Sequence, residues 1–144
     1  GLASVCDLAI ATTESKFGYS EVKIGFIPAI VSVFLLKQIG ITKSKELLLT
    51  GKIVSAEEAQ SFGLINKVST KEKLESCVMD IAQSLVKTTS AESLKLTKEL
   101  INGVSDKSVS EGFNWAAEMN AKARETKDCK KGIAAFLDKE KIKW

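Results

Sequence analysis

Histidine is absent from the 144 residues of this chain, and proline occurs only once. Without an imidazole, the chain cannot supply from its own residues a Ser-His-Asp triad, a Cys-His pair or a histidine metal ligand. Acid–base chemistry near neutral pH must therefore rest on carboxylates, lysine, tyrosine or cysteine. This absence narrows the candidate catalytic groups to a few residue types.

Cysteine is scarce as well, since Cys6, Cys77 and Cys129 are the only three and no two of them form a C-x-x-C pair. An odd number of widely spaced cysteines fits free thiols in a reducing compartment better than a disulfide framework or a zinc site. We therefore expect a cytoplasmic protein that binds no metal.

Long hydrophobic runs and arginine are also nearly missing. The most apolar stretch, residues 24–36, is interrupted by glycine, proline and serine, and it is shorter than the roughly 20 residues of a membrane-spanning helix. Arg124 is the only arginine among 21 basic residues, which disfavours bidentate recognition of phosphates or bases. The net charge of +3 lies entirely in residues 127–144. We expect neither a membrane nor a nucleic acid as partner.

Hydrophobic residues make up 44% of the chain, which is enough for one globular core. Short apolar stretches predict strands over residues 5–11, 17–22 and 64–68. Apolar residues at three- and four-residue steps predict helices over residues 31–38, 43–50, 71–87, 91–102, 108–126 and 129–138. Ser55 and Glu58 form a typical capping box at the start of a further helix. The expected fold class is α/β, with short strands followed by a helical region.

Three groups of residues occur in a distinctive order along the chain. They are Cys6-Asp7, Ala11, Phe17-Gly18, Glu21, Gly25 and Pro28, then Thr50-Gly51, Ser55–Ala59 and Gly63–Val68, and finally Gly132–Lys139. In this order and spacing they resemble motifs of the crotonase (enoyl-CoA hydratase/isomerase) family. The resemblance covers essentially the whole chain and corresponds to roughly the C-terminal half of a family member.

The resemblance implies a crotonase-like (ClpP/crotonase) spiral fold, of which this chain would be the C-terminal half. Residues 1–70 would be the C-terminal part of the core, and residues 71–144 a helical trimerisation region. The implied assembly is a homotrimer or a dimer of trimers. Because the chain opens on Gly1 without a methionine and runs at once into an apolar segment, we expect a fragment.

The activity that the resemblance implies is that of a lyase, an enoyl-CoA hydratase acting on 2-enoyl-CoA thioesters in fatty acid metabolism. Coenzyme A would be part of the substrate, and no separate cofactor is expected. Glu21 matches the family's second catalytic glutamate, which exchanges a proton with C2 of the acyl chain. Two backbone N–H groups would stabilise the enolate oxyanion, and both would come from segments before Gly1. From the residues alone, a solvated or ion-paired glutamate beside Lys23 is the more usual interpretation of Glu21.

Three positions that would line the substrate pocket depart from the family pattern. Gly1 stands where hydratases place their first, water-activating glutamate, Ser20 stands where a proline is frequent, and Ala29 stands where a glycine is usual. One glutamate suffices to move a proton between C2 and C4. A single-glutamate enoyl-CoA isomerase is therefore an alternative to the hydratase.

Phe136, Lys139 and Lys141 match a C-terminal region that in the family helps to hold the CoA nucleotide, often across a subunit boundary. A lysine ammonium suits such a phosphate contact, although lysines at a helix end also complement the helix dipole. Two other classes stay open. The chain could be a non-catalytic structural fragment kept for oligomer contacts, or an amphipathic-helix binding module formed by residues 71–126.

Overall fold

The computed structural model describes all residues from Gly1 to Trp144 and contains four short strands and six α-helices. The strands are β1 Ile10–Thr12, β2 Lys16–Gly18, β3 Ile53–Ser55 and β4 Lys67–Ser69. The helices are α1 Ala29–Thr50, α2 Ala56–Ser61, α3 Leu74–Thr88, α4 Ala91–Val104, α5 Val109–Glu125 and α6 Lys127–Leu137. The chain packs as two compact units, Gly1–Met79 and Asp80–Trp144.

The strands of the first unit form two separate two-stranded sheets. β1 runs parallel to β4, with Ile10 opposite Lys67, and β2 runs antiparallel to β3, with Phe17 opposite Val54. The parallel pairing of β1 with β4 explains why the predicted strand over residues 5–11 was wrong for most of its length. Because β4 begins only at Lys67, the residues before β1 have no ladder partner, and Ala3–Val5 form a 3-10 helix instead.

The second predicted extended segment, residues 17–22, is also only partly a strand. β2 ends at Gly18, and Glu21–Ile24 form a 3-10 helix. Gly25 ends this helix with a φ of 77°, a left-handed conformation that glycine adopts without a steric penalty. The antiparallel partner β3 lies in a stretch for which the sequence predicted no strand.

Helix α1 is interrupted at Gly40, between the two helices predicted over residues 31–38 and 43–50. Gly40 has φ 73° and ψ 168°, so two helical segments meet there at a kink. The hydroxyl of Ser44 donates to the Gly40 carbonyl over 2.7 Å, at the start of the second segment. Gly51 then closes α1 with a φ of 57°, and its N–H donates to the Leu47 carbonyl over 3.0 Å.

The core of the first unit is apolar and joins α1 to the strands and α2. Its fully buried members include Leu35, Leu47, Val54, Ala59 and Leu64. The predicted capping box at the start of α2 is confirmed: the Ser55 hydroxyl accepts from the Glu58 N–H, and the Glu58 carboxylate accepts from the Ser55 N–H.

The second unit is helical, and its helices α4, α5 and α6 match the predicted segments to within about two residues, the usual uncertainty of helix ends. Ser90 is buried, caps α4, and donates its hydroxyl proton to Asp128 on α6. No helix of the chain is both long enough and apolar enough to cross a membrane.

Candidate active site

A cavity of about 360 Å³ lies in the first unit, between the start of the chain, the 3-10 helix Glu21–Ile24 with the turn that follows it, and the N-terminal end of α1. Its walls include Val5, Ile30 and Phe34. Glu21 is the only ionisable side chain among the lining residues. A mainly apolar cleft with few polar groups is the usual form of a small-molecule site.

The backbone around Glu21 is held on both sides by short hydrogen bonds. The carbonyl of Glu21 accepts from the N–H of Gly25 and, over 2.9 Å, from the N–H of Phe26. The N–H of Lys23 donates to the Ser20 carbonyl over 2.9 Å. The tight turn that these bonds close places the Glu21 side chain at the cavity.

The carboxylate of Glu21 is unusual because its Oε2 atom is buried and has no hydrogen-bond partner. A buried polar atom left without a partner costs about 1–3 kcal/mol. Such atoms are rare in native proteins, and a catalytic role is one of the recognised reasons for them. Oε2 is not hydrogen-bonded to Lys23, whose Cε atom lies instead beside Gly51. The structure therefore does not support an ion-paired Glu21.

Three of the residues that the sequence analysis singled out meet at this cavity, namely Gly1, Glu21 and Ala29. Ser20 is exposed and precedes the 3-10 helix without lining the cavity. A Cβ atom built on Gly1 would meet no atom within 4 Å. Among residues 1–144, nothing therefore blocks a side chain at position 1.

Most of the residues that form the cavity walls were not predicted from the sequence. Ile27, Ile30 and Phe34 line the cavity although they are well exposed. The available signal was the four-residue step from Ile30 to Phe34, because residues four apart share a helix face. The same spacing is typical of ordinary core positions, so it does not by itself indicate a cavity wall.

Phe136, Lys139 and Lys141 lie in the second unit. Phe136 is 82% exposed, and Lys139 has a φ of 55°, which turns the chain back after α6. Lys141 lines a separate cavity of about 470 Å³. Lys131 also lines it. Its ammonium donates to the Lys143 carbonyl over 2.7 Å and lies 5.2 Å from the centre of the Trp144 indole ring.

No group of three or more cysteine, aspartate or glutamate side chains is arranged to hold a metal ion. The three cysteines are all free thiols. The chemistry available at the cavity therefore rests on one carboxylate, which can accept or donate a proton, and on the surrounding apolar walls.

Known proteins resemble this chain in sequence. The sequence profile described as "Enoyl-CoA hydratase/isomerase" matches residues 1–144. A Thermus thermophilus protein whose name assigns it to the enoyl-CoA hydratases is 43% identical over 96% of this chain and 54% of its own length. A Clostridioides difficile protein named short-chain-enoyl-CoA hydratase is 32% identical over 94% of this chain and 87% of its own length. The chain spans about half the length of most of the curated relatives it matches.

Solved structures show the same fold. The crystal structure of an enoyl-CoA hydratase from Mycobacterium smegmatis superimposes with a TM-score of 0.93 at 26% identity, over 99% of this chain and 55% of that one. A Geobacillus kaustophilus structure described as enoyl-CoA hydratase subunit I gives 0.92 at 33% identity, over 99% and 56%. The expected crotonase-type fold is thereby confirmed. With its whole length matched by the family profile, the chain belongs to the enoyl-CoA hydratase/isomerase family.

Proposed function

We propose that the complete protein is an enoyl-CoA hydratase that acts on 2-enoyl-CoA thioesters, with Glu21 as the group that exchanges a proton with C2. The observation that carries the proposal is the buried, unpartnered Oε2 atom of Glu21 in an otherwise apolar cavity. The relatives named as enoyl-CoA hydratases support the reaction class. Coenzyme A enters as part of the substrate, and no separate cofactor is proposed.

In this proposal the thioester carbonyl makes C2 the carbon at which a proton is gained or lost. Water adds its hydroxyl to C3, the negative charge passes to the thioester oxygen as an enolate, and Glu21 gives a proton to C2. The proton released by the water restores the glutamic acid. Apolar walls lower the polarity around the enolate, which strengthens electrostatic interactions there. Backbone N–H donors for the enolate oxygen would come from outside residues 1–144.

One observation favours isomerisation as a second candidate reaction. Glu21 is the only carboxylate that lines the cavity, and Gly1 presents no side chain to it. Hydration in the family uses a second carboxylate to position water. Shifting a double bond needs no water, because Glu21 can remove a proton at one carbon and return it at another.

The second unit supplies the proposed contacts to the rest of the substrate and to other subunits. Phe136, Lys139 and Lys141 would hold the CoA nucleotide, because lysine ammonium groups bind phosphate as point charges.

We propose a homotrimer or a dimer of trimers, supported by apolar side chains that are exposed to solvent, such as Phe113 at 72% and Leu137 at 71% exposure. Light scattering of the complete protein should give a trimer or hexamer mass, and a monomer mass would contradict this assembly.

We also propose that the protein works in the cytoplasm. All three cysteines are free thiols, which suits a reducing compartment. Fractionation of the native cells, followed by immunodetection, should recover the protein with cytoplasmic markers.

The test of Glu21 replaces it by glutamine in the protein encoded by the complete gene. Glutamine keeps the shape but cannot donate or accept the proton, so we expect turnover to fall by about 10²–10⁴-fold. Glu57→Gln is the matched control, because Glu57 is exposed on α2 and does not line the cavity. If Glu21→Gln turned over like the wild type, the assignment would be wrong.

Hydration and isomerisation are separated by the products. A 2-enoyl-CoA is incubated with the enzyme in heavy water, and both deuterium at C2 and 3-hydroxyacyl-CoA are measured. Both signals together support the hydratase, whereas exchange without the hydrated product supports the isomerase. Since nothing among residues 1–144 blocks a side chain at position 1, Gly1→Glu should raise formation of the hydrated product if the missing carboxylate limits hydration.

A further inference from the structure

Gly51, at the C-terminal end of α1, lies against the segment that carries Glu21. Gly51 is buried, and a Cβ atom there would stand 3.1 Å from Lys23 Cε, 3.2 Å from Val22 Cγ2 and 3.3 Å from the Tyr19 carbonyl oxygen. These atoms belong to residues on both sides of Glu21. The main chain of Gly51 is thus packed directly on the turn that presents the carboxylate.

The three neighbours differ in how easily they can move. The Lys23 side chain is long and flexible, so its end can swing away. The Val22 side chain is stiff because it branches at Cβ, and the Tyr19 oxygen belongs to the backbone of a buried residue. A methyl group at position 51 would therefore displace the segment by a few tenths of an ångström.

Gly51 itself has little freedom to retreat. Its N–H is bonded to the Leu47 carbonyl over 3.0 Å, and the N–H of Lys52 donates to the Thr50 hydroxyl over 3.2 Å. Its φ of 57° is one that other residues rarely adopt. Any added atom at this position must be accommodated by the segment around Glu21.

We propose that Gly51 is a positioning residue for Glu21. Its missing side chain sets how closely residues 19–22 approach the end of α1, and hence where the Glu21 carboxylate stands in the cavity. This inference rests on the proposed role of Glu21. Gly51 acts only through that residue, because it does not line the cavity.

Gly51→Ala and Gly63→Ala form a matched pair of variants in the complete protein. Gly63 also follows a helix and has a φ of 80°, but a Cβ atom there would meet nothing within 4 Å. Both variants carry the same kind of backbone strain, so both should be somewhat less stable than the wild type. Only Gly51→Ala adds contacts to the Glu21 segment.

We expect Gly51→Ala to lower kcat about tenfold with little change in KM, since displacements of a fraction of an ångström already weaken a positioned catalytic group. Gly63→Ala should retain the wild-type kcat. In a Glu21→Gln background the effect of Gly51→Ala on kcat should vanish, because residues that act through one group are not additive. Equal kcat values for the two alanine variants, or an undiminished effect in the Glu21→Gln background, would overturn the inference.

Two further measurements keep the test decisive. Hydrogen exchange at the amides of Lys23, Gly25 and Phe26 should accelerate in Gly51→Ala and not in Gly63→Ala, and unchanged exchange would count against the inference without reference to activity. If Gly51→Ala does not fold, Gly51→Ala/Val22→Ala removes the stiff Cγ2 contact and should restore folding and part of kcat. Failure of that rescue would also overturn the inference. Wild-type turnover by Glu21→Gln would instead refute the proposed function.

Discussion

Asn66 and Ala9 are joined by two hydrogen bonds of 2.8 Å each. The side-chain oxygen of Asn66 accepts from the Ala9 N–H, and the Asn66 N–H donates to the Ala9 carbonyl. The pair lies directly before the first ladder partners, Ile10 and Lys67. An asparagine side chain thus takes the place of a missing backbone acceptor and extends the parallel strand pair by one residue.

Replacing Asn66 by alanine should lower the free energy of unfolding by about 1 kcal/mol, the usual net value of one hydrogen bond. Asn66→Asp keeps an oxygen acceptor at the same place and should lose less. Urea denaturation followed by circular dichroism measures both changes. Equal losses for the two variants would show that the side-chain oxygen does not hold the strand pair.

Helices α4 and α5 touch at Gly103, where a Cβ atom would stand 2.1 Å from Nε1 of Trp115. Since no side chain fits at that distance, Gly103→Ala must displace the Trp115 ring or the helix that carries it. Overpacking of this kind typically costs about 1–3 kcal/mol. The indole nitrogen of Trp115 is also buried without a partner, so the variant should shift the tryptophan fluorescence as well as lower the melting temperature.

Gly112 provides the control for this prediction. It lies in α5, and a Cβ atom there would meet nothing within 4 Å. Gly112→Ala should raise the free energy of unfolding by about 0.5–1 kcal/mol, because alanine restricts the unfolded chain and favours the helix. Destabilisation by both variants would mean that contact with Trp115 is not the cause.

Glu46 should make stability depend on acid. Hydrogen bonds from Lys52 and from Lys43, the latter over 2.9 Å, lower the pKa of Glu46 to about 2. Since its pKa is 4.5 without these partners, the stabilisation is complete above that pH and is lost as the pH falls towards 2. The wild type should therefore be more stable than Glu46→Gln at pH 7, and the two should converge near pH 2. A constant difference in denaturation midpoint across this range would contradict the prediction.

Local features of the fold were predictable from the sequence because they depend on neighbouring residues. The Ser55–Glu58 capping box, the break at Gly40 and the end of α1 at Gly51 all follow from side-chain caps and from glycine's access to positive φ. The strands were less predictable, since β3 and the short β1 owe their limits to partners distant in sequence.

The candidate site was predictable to a similar degree. Gly1, Glu21 and Ala29 were named from motif positions and lie at one cavity, while their roles stay predictions. Ile30 and Phe34 also line it but were not predicted as site residues. Whether these residues line a cavity depends on which segment of the chain lies opposite α1. The hydrophobic pattern of the sequence does not indicate that segment.

The kink at Gly40 separates two tasks that α1 performs for the site. The residues before it, such as Ile30 and Phe34, shape the cavity, and the residues after it lead to Gly51, which contacts the Glu21 segment. Because the helix is not continuous across Gly40, a displacement caused by a substitution in the cavity wall need not be transmitted along the helix to the contact at Gly51. The side chains that line the cavity can therefore change while the Glu21 carboxylate keeps its place.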